Sequence, residues 1–442
     1  MKSALGFVLL AMFVQSGFAS SARAEQLTLD DCIELALKNR ASIIAARGRE
    51  TTAGMDKLNA LGAFLPQVRA SYSYNKGRQF GIDPPNRIFD DTGKVIGFSD
   101  EQDIGPDKRY SVDASISVFN LSNWLNYFGA RASKKAAHLD VISSEQDLIL
   151  AVKTSYYAYL ASAQNVDVQQ QAVDRSQEQL KLIQSKFDLG SAAKSDVLKQ
   201  KVRLGNDKLE QLRATNAVIT TRATLAWTIG VDPNTDMQFD TSYISREYSG
   251  GLDAAVNFGL EHEPGLLSAR AELDASNLGV HSRLADYLPT VSVFGSYSDF
   301  SGTQAFPSVF DYSFKNRNFG FSVSLNIFDG FSRERNLSRA RVTRNNAHAL
   351  LADTRNQVSR DIKTAFYDIE QQREAMLVSQ ENVDAAQEDL NITQEKYNLG
   401  AATILDLLDA QVSLKQAQVS LIRVAFDLNL AIAQLEQAMG KM

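Results

Sequence analysis

Asp406 and Asp409, near the end of the 442-residue chain, stand three residues apart in ATILDLLDAQ. On an α-helix that spacing sets both carboxylates on one face. Left in solvent, they are ordinary surface acids. Gathered at one narrowing, such acids attract cations and repel anions, as acidic rings in channels do. Other chemistry has little to stand on. The four histidines, His138, His262, His281 and His348, are scattered and lack metal-ligand spacing. No Gly-rich phosphate loop, Walker lysine motif or G-x-S-x-G elbow occurs. The sequence therefore predicts no enzyme, no metal and no cofactor. The single cysteine, Cys32 in LDDCIELALKN, cannot close a disulfide within its own chain and reads as a small buried helix residue. With 46 basic against 52 acidic residues and no basic patch or arm, a nucleic-acid partner is not expected.

The acids belong to a stretch that occurs twice. EKYNLGAATILDLLDAQ spans residues 395–411, and SKFDLGSAAKSDVLKQK spans 185–201. The pairing extends along the chain at a displacement of 210: Lys153-Thr154 falls on Lys363-Thr364, Leu189-Gly190 on Leu399-Gly400 and Asp196 on Asp406. An earlier part repeats at a displacement of 223: Leu29 falls on Leu252, Arg47 on Arg270, Leu65-Pro66 on Leu288-Pro289 and Ser73-Tyr74 on Ser296-Tyr297. Such self-similarity marks a duplicated unit. Residues 25–235 read as a first structural repeat of helix, two strands and a long helical hairpin. Residues 236–251 read as a linker, and 252–442 as the second repeat. Ahead of them, Lys2, an apolar run from Ala4 to about Phe18, and Ala22-Arg23-Ala24 have the pattern of a secretory signal peptide over residues 1–24. The run is shorter than the ~20 residues a spanning helix needs. Without Lys2 and Arg23 the balance is 44 basic to 52 acidic residues, a charge of about −8.

The elements that carry the acids are long. No proline interrupts a helix-rich composition from about Ser122 to Phe187 or from about Phe331 to Tyr397. At 1.5 Å per residue such helices are about 100 Å long. Val152, Tyr159, Val166, Val173, Leu180 and Phe187 are seven apart, as are Ile362, Ile369, Met376, Val383, Leu390 and Tyr397, and Leu407, Leu414, Leu421, Leu428 and Leu435. A sustained heptad implies left-handed coiling of helix on helix. Each Leu-Gly then marks the bend of a helical hairpin, where glycine accepts positive φ. The intervening positions Ala365, Gln372, Ser379, Ala386 and Thr393 are small or polar, which suits a thin-walled tube.

After each Leu-Pro the period changes to two. Val68, Ala70, Tyr72 and Tyr74 alternate with polar residues, as do Tyr110, Val112, Ala114, Ile116 and Val118, and Phe319, Phe321, Val323, Leu325 and Ile327; the stretch 289–298 is noisier. Strands of roughly 9–11 residues with one greasy and one small polar face suit lipid outside and water inside. Residues 76–109 and 299–317 read as loops; the first is rich in Asp but lacks calcium-loop spacing and reads as solvated. Four strands cannot close a barrel, whose smallest transmembrane form has about eight. Open edges in lipid are costly. The strands must therefore be shared among subunits of a dimer, trimer or tetramer.

Leu399-Gly400, five residues, then Asp406-Leu407-Leu408-Asp409-Ala410-Gln411 resembles the hairpin tip of the TolC-like outer-membrane efflux protein family. The duplication and the Leu-Pro before each repeat's first strand are similar too, and the resemblance covers residues 27–440. It implies an α+β fold: a homotrimer with a twelve-stranded transmembrane β-barrel, four strands per chain, continuous with a long antiparallel α-helical coiled-coil tunnel. It implies placement in the outer membrane of a Gram-negative bacterium, in contact with its lipid, with a large periplasmic portion. It further implies a passive exit duct of a tripartite efflux system, fed by an inner-membrane pump through a periplasmic adaptor protein. By the same resemblance, the tips at Leu189-Gly190 and Leu399-Gly400 contact the adaptor, and Asp406 and Asp409 form the pore constriction. Some members carry arginine two residues after the second tip glycine, where this chain has Ala402. Type I protein secretion uses the same kind of duct and stands as one alternative; a periplasmic coiled-coil scaffold with a soluble sheet stands as another.

Overall fold

The computed structural model describes residues 26–81, 85–99, 102–235, 237–241, 247–304 and 310–442. The signal-peptide reading at 1–24 lies outside them. In chain order the elements are α1 (Leu29–Asn39), α2 (Ala41–Gly62), β1 (Gln67–Gln79), β2 (Asn86–Phe89), β3 (Val95–Ser99), β4 (Gln102–Phe119), α3 (Leu121–Asp188), α4 (Lys194–Thr228), α5 (Leu252–His262), α6 (Pro264–Ala285), β5 (Thr290–Gln304), β6 (Phe310–Ser324), α7 (Ser332–Asn398) and α8 (Ile404–Ala438). The internal repetition is visible in their bounds. α1 and α2 recur 223 residues later as α5 and α6, and α3 and α4 recur 210 residues later as α7 and α8, with only the start of α7 displaced, by one residue.

Local chemistry sets these bounds. Thr28 opens α1 with a capping box, its hydroxyl and amide both donating to Asp31 at 2.7 and 2.9 Å. Glu263 caps α6 by accepting from the amides of Gly265 and Leu266 at 2.8 and 2.5 Å, and Pro264 takes the first helical position, where its missing N–H costs nothing. At the entry to α7 the chain turns through Gly330 and Phe331, both at φ 66°. Arg333 braces that turn. It pairs with Asp329 at 3.2 Å, donates to the Ile327 carbonyl at 3.1 Å and lies 4.7 Å over the Tyr287 ring.

The four long strands form one antiparallel sheet in the order β1-β4-β5-β6, while β2 and β3 pair separately as a hairpin. Register keeps like with like. Val68 faces Ala114, Tyr72 faces Tyr110, Val112 faces Tyr297 and Val293 faces Phe321, all on one face. The other face carries Ser71 opposite Ser111, Ser117 opposite Ser292, and Ser296 opposite Asn318. The apolar face is uncovered in the single chain: Phe319 is 93% exposed, and Val68, Phe321 and Val323 are exposed too. The noise in the third strand has a physical source. Phe294 sits on the polar face opposite Gly320, where an added Cβ would meet the ring at 3.0 Å, so the aromatic covers a glycine.

Two expectations need correction. The strands are 13, 18, 15 and 15 residues long, well past 9–11. The loop reading of 76–109 and 299–317 fails in part, because β1, β4, β5 and β6 extend into both segments and β2 and β3 fill much of the first. Past the apolar band the backbone pairing continues while the aromatics change face: Phe300 pairs with Phe314 on the face opposite that of Phe319 and Phe321. The Asp-rich stretch does turn chemistry: Asp90 accepts from the amides of Thr92 and Lys94 and from the Thr92 hydroxyl, next to Gly93 at φ 82°.

By packing, the chain divides into two compact units that cut across the repeats: residues up to Ala36 with Val152–Ile244, and Leu37–Ala151 with Ser245–Met442. In the first unit Cys32, Val152, Leu160, Leu225, Ile229 and Phe239 are buried. Part of the segment read as a linker is pinned there. Leu27 and Phe239 form a parallel bridge, Phe239 packs edge-on to Tyr159 at 5.3 Å, and the Tyr156 hydroxyl donates to the Asp240 carbonyl at 2.7 Å. Burial pushes the Cys32 thiol up to about 12, which keeps it protonated at neutral pH. In the second unit Leu266, Ile362, Ile369, Leu428, Ile432, Leu435 and Met439 form one core, and α7 and α8 pair along their length. The heptad residues Ile362, Ile369, Leu390, Leu407, Leu414, Leu428 and Leu435 are buried as the sequence predicts.

Candidate functional site: the hairpin tips

Each hairpin ends on the same device. At the first tip Gly190 takes φ 75°, its amide donates to the Phe187 carbonyl at 2.9 Å, and the Ser191 amide reaches the Lys186 carbonyl at 2.8 Å. At the second, Gly400 takes φ 77°, its amide donates to the Tyr397 carbonyl at 3.2 Å and the Ala401 amide donates to the Lys396 carbonyl at 2.7 Å. Both are left-handed glycine caps that satisfy the last carbonyls of a helix. They turn the preceding leucines outward: Leu189 is 84% exposed and Leu399 is 85% exposed. Each long hairpin thus ends on an exposed leucine held in place by backbone bonds.

The tips differ in how the returning helix begins. Thr403 caps α8, and Asp406 completes a capping box in which one carboxylate oxygen, Oδ2, accepts from the Thr403 amide and hydroxyl at 2.8 and 2.7 Å. These two donors hold the exposed Asp406 carboxyl below the usual carboxylate range. The cap has a sequence signature, Thr403-x-x-Asp406. Asp409 is exposed one turn further along the same face. At the first tip the capping position is Ala193, with no side-chain bond, and Lys199 stands where Asp409 does in the second. The charge around the tips follows suit. Residues 181–201 carry Lys181, Lys186, Lys194, Lys199 and Lys201 against two acids, whereas 391–411 carry Lys396 against three.

Sequence reasoning missed a polar seam inside the first hairpin. Asp207, 1% exposed, accepts from the Ser176 hydroxyl at 2.5 Å and pairs with Arg203 at 2.9 Å; Gln200, fully buried, donates to the Ser176 carbonyl at 2.9 Å. In the second hairpin the equivalent positions are Ala417, Ala386, Ser413 and Ala410. Buried ionic groups stabilise a packing only while every member is paired.

A sheet with a bare apolar face and helical hairpins with apolar tips now stand in one chain. Over residues 32–231 and 257–441 it matches the outer membrane efflux protein family. The chain belongs to that family. A member of the outer membrane efflux proteins is an outer-membrane channel protein and not of an enzyme family. No helix among the described residues is long and apolar enough to cross a membrane. The chain is similar to outer membrane protein TolC of Vibrio cholerae serotype O1, 22% identical over 98% of this chain and 95% of that one. It is similar to alkaline protease secretion protein AprF of Pseudomonas aeruginosa, 23% identical over 92% of this chain and 83% of that one. Among solved structures, the CmeC outer membrane channel of Campylobacter jejuni matches with a TM-score of 0.78 at 17% identity, over 93% of this chain and 85% of that one.

Proposed function

We propose that three copies of this chain join β1 of one copy to β6 of the next, closing a twelve-stranded barrel over a helical tunnel that serves as a passive efflux duct. The observation that carries this reading is the sheet itself. Among the described residues it has four strands, two unpaired edges and one uncovered apolar face. In lipid each open edge would leave a row of backbone groups without partners, at several kcal/mol per group. A scaffold with a soluble sheet would need that face covered. The adaptor meets the duct at the protruding Leu189 and Leu399, and an inner-membrane pump supplies the energy. Protein secretion is the second reading, favoured by the likeness to a protease secretion protein.

At the periplasmic entrance Asp406 and Asp409 contribute six carboxylates from three copies, a ring that favours cations. The capping box separates their roles: Asp406 also holds the start of α8, while Asp409 is free to act through charge. Conductance across planar bilayers tests this. Asp409→Asn is expected to lower cation selectivity and weaken block by multivalent cations while leaving open conductance similar. Selectivity and block indistinguishable from the parent would remove the ring from the account.

A further inference from the structure

The two halves of the sheet repeat each other, and the repetition says how one copy of the chain meets the next. β1 recurs 223 residues later as β5. Residues 112–119 of β4 recur 209 residues later as 321–328: Ser115 falls on Ser324, Ile116 on Leu325 and Phe119 on Phe328. The pairing recurs with the residues. Val68 faces Ala114 and Ala70 faces Val112 in the first hairpin; Val291 faces Val323 and Val293 faces Phe321 in the second. After the two displacements these are the same pairs, with no slip. The sheet therefore alternates two kinds of strand, β1 and β5 of one kind, β4 and β6 of the other.

One seam lacks its counterpart. On its second side β4 pairs with β5, with Ile116 opposite Val293, Ser117 opposite Ser292 and Phe119 opposite Val291. β6 has no strand on that side among the described residues. The end of β6 shows the lack. β4 runs to Phe119, whereas β6 stops at Ser324, the equivalent of Ser115, which is where the pairing of β4 with β1 also ends. Residues 325–328 belong to no strand, and Ile327 is 89% exposed. Yet they match 116–119 in type: Leu for Ile, Asn for Ser, Ile for Val, Phe for Phe. In the first half β5 holds such residues as strand. What β6 lacks is a strand of the β1 and β5 kind, and the free one is β1 of another copy.

We infer that the joint between copies repeats the β4–β5 seam in register. Carried over, Ile116 with Val293 becomes Leu325 opposite Ala70 of the next copy, Ala114 with Gly295 becomes Val323 opposite its Tyr72, and Asp113 with Ser296 becomes Ser322 opposite its Ser73. The inference rests on the closed barrel proposed above and adds where the edges lock. Under it apolar residues meet apolar ones and serine meets serine. A slip of one residue sets Leu325 against Arg69 or Ser71, since it turns every side chain to the other face. A slip of two keeps the faces but changes the stagger on which the tilt and width of a closed barrel depend, so alternate seams no longer match. The next copy's Val68–Ala70 segment also turns residues 325–328 from exposed chain into strand.

Disulfide formation in the full chain tests the register. Two cysteines are introduced per chain, the membranes are oxidised with copper phenanthroline, and links are read on non-reducing gels after denaturation. Directly opposed Cβ atoms lie about 4.5–5.5 Å apart and diagonal ones about 7–8 Å, so a disulfide marks the opposed pair. Ser73→Cys with Ser322→Cys is the predicted pair. Ser71→Cys with Ser322→Cys and Asn75→Cys with Ser322→Cys represent the two slips. Within one chain β4 and β5 separate these strands, so any link joins copies. The native Cys32 is buried and does not interfere. The predicted pair should link copies severalfold more than either slipped pair, and so should Ser71→Cys with Ser324→Cys, which is also in register. A slipped pair that links best would overturn the register and leave the barrel standing. Links from Ser322→Cys alone would set two β6 edges side by side and overturn the joint. No link between copies from any pair would overturn the register and the joining of β1 to β6 together.

Discussion

Single side chains at the second tip divide their work between shape and charge. Thr403 and Asp406 close the first turn of α8 through three hydrogen bonds, the third from the Asp406 amide to the Thr403 hydroxyl at 3.2 Å. Because these donors favour the carboxylate, the folded pKa of Asp406 lies below the unfolded value of 3.8. The cap therefore contributes fully above pH about 4 and is lost as pH falls through the lower folded value. A nitroxide placed at the exposed Leu405, through Leu405→Cys, is expected to stay ordered at neutral pH and to become mobile only in acid. With Asp406→Asn it should be mobile at every pH, and an ordered spectrum in that variant would contradict the cap. Cys32, buried with its thiol held protonated, would not compete for the label. The sequence shows the Thr-x-x-Asp pattern openly. It cannot show which of the two acids is engaged, since that depends on where the helix starts.

At the scale of elements, hairpins of the same length carry different interiors. The buried residues of α7 and α8 are mostly apolar, with the neutral Ser379, Gln411 and Asn429 as polar members, whereas α3 and α4 enclose the charged Asp207 cluster. Removing Asp207 alone strands a nearly buried guanidinium, so Asp207→Ala should cost about 3–5 kcal/mol, the usual cost of breaking a buried pair. Replacing the cluster by the second copy's residues (Ser176→Ala, Gln200→Ala, Arg203→Ser and Asp207→Ala together) should be close to neutral. Guanidinium unfolding followed by circular dichroism separates the two; equal losses in both would mean that the pairing is not what matters. The heptads at Val152, Tyr159 and Val173 and at Ile362, Ile369 and Leu390 were legible because apolar residues recur at a fixed spacing. Ser176, Gln200 and Asp207 were not, because a polar residue in a seam looks like a surface residue until its partner on the other helix is known. Strand ends were equally hidden: Phe300 and Phe314 pair on the face opposite Phe321, so the alternation that marks the apolar band does not carry through to them.

For the whole molecule, the decisive feature is incompleteness. Among the described residues β1 and β6 each pair on one side only, and nothing covers the apolar face around Phe319 and Phe321. Alternation and the need to satisfy backbone groups in lipid made this readable from sequence, down to the count of four long strands. The number of copies was not readable, because edge pairing alone permits more than one closed ring. The measurement that tests the closure most directly is the mass of the detergent-extracted assembly by native mass spectrometry, taken before and after heating. Three copies in a single species that heat separates into single chains is the predicted result. A folded single copy, or a ring of two or four, would contradict it.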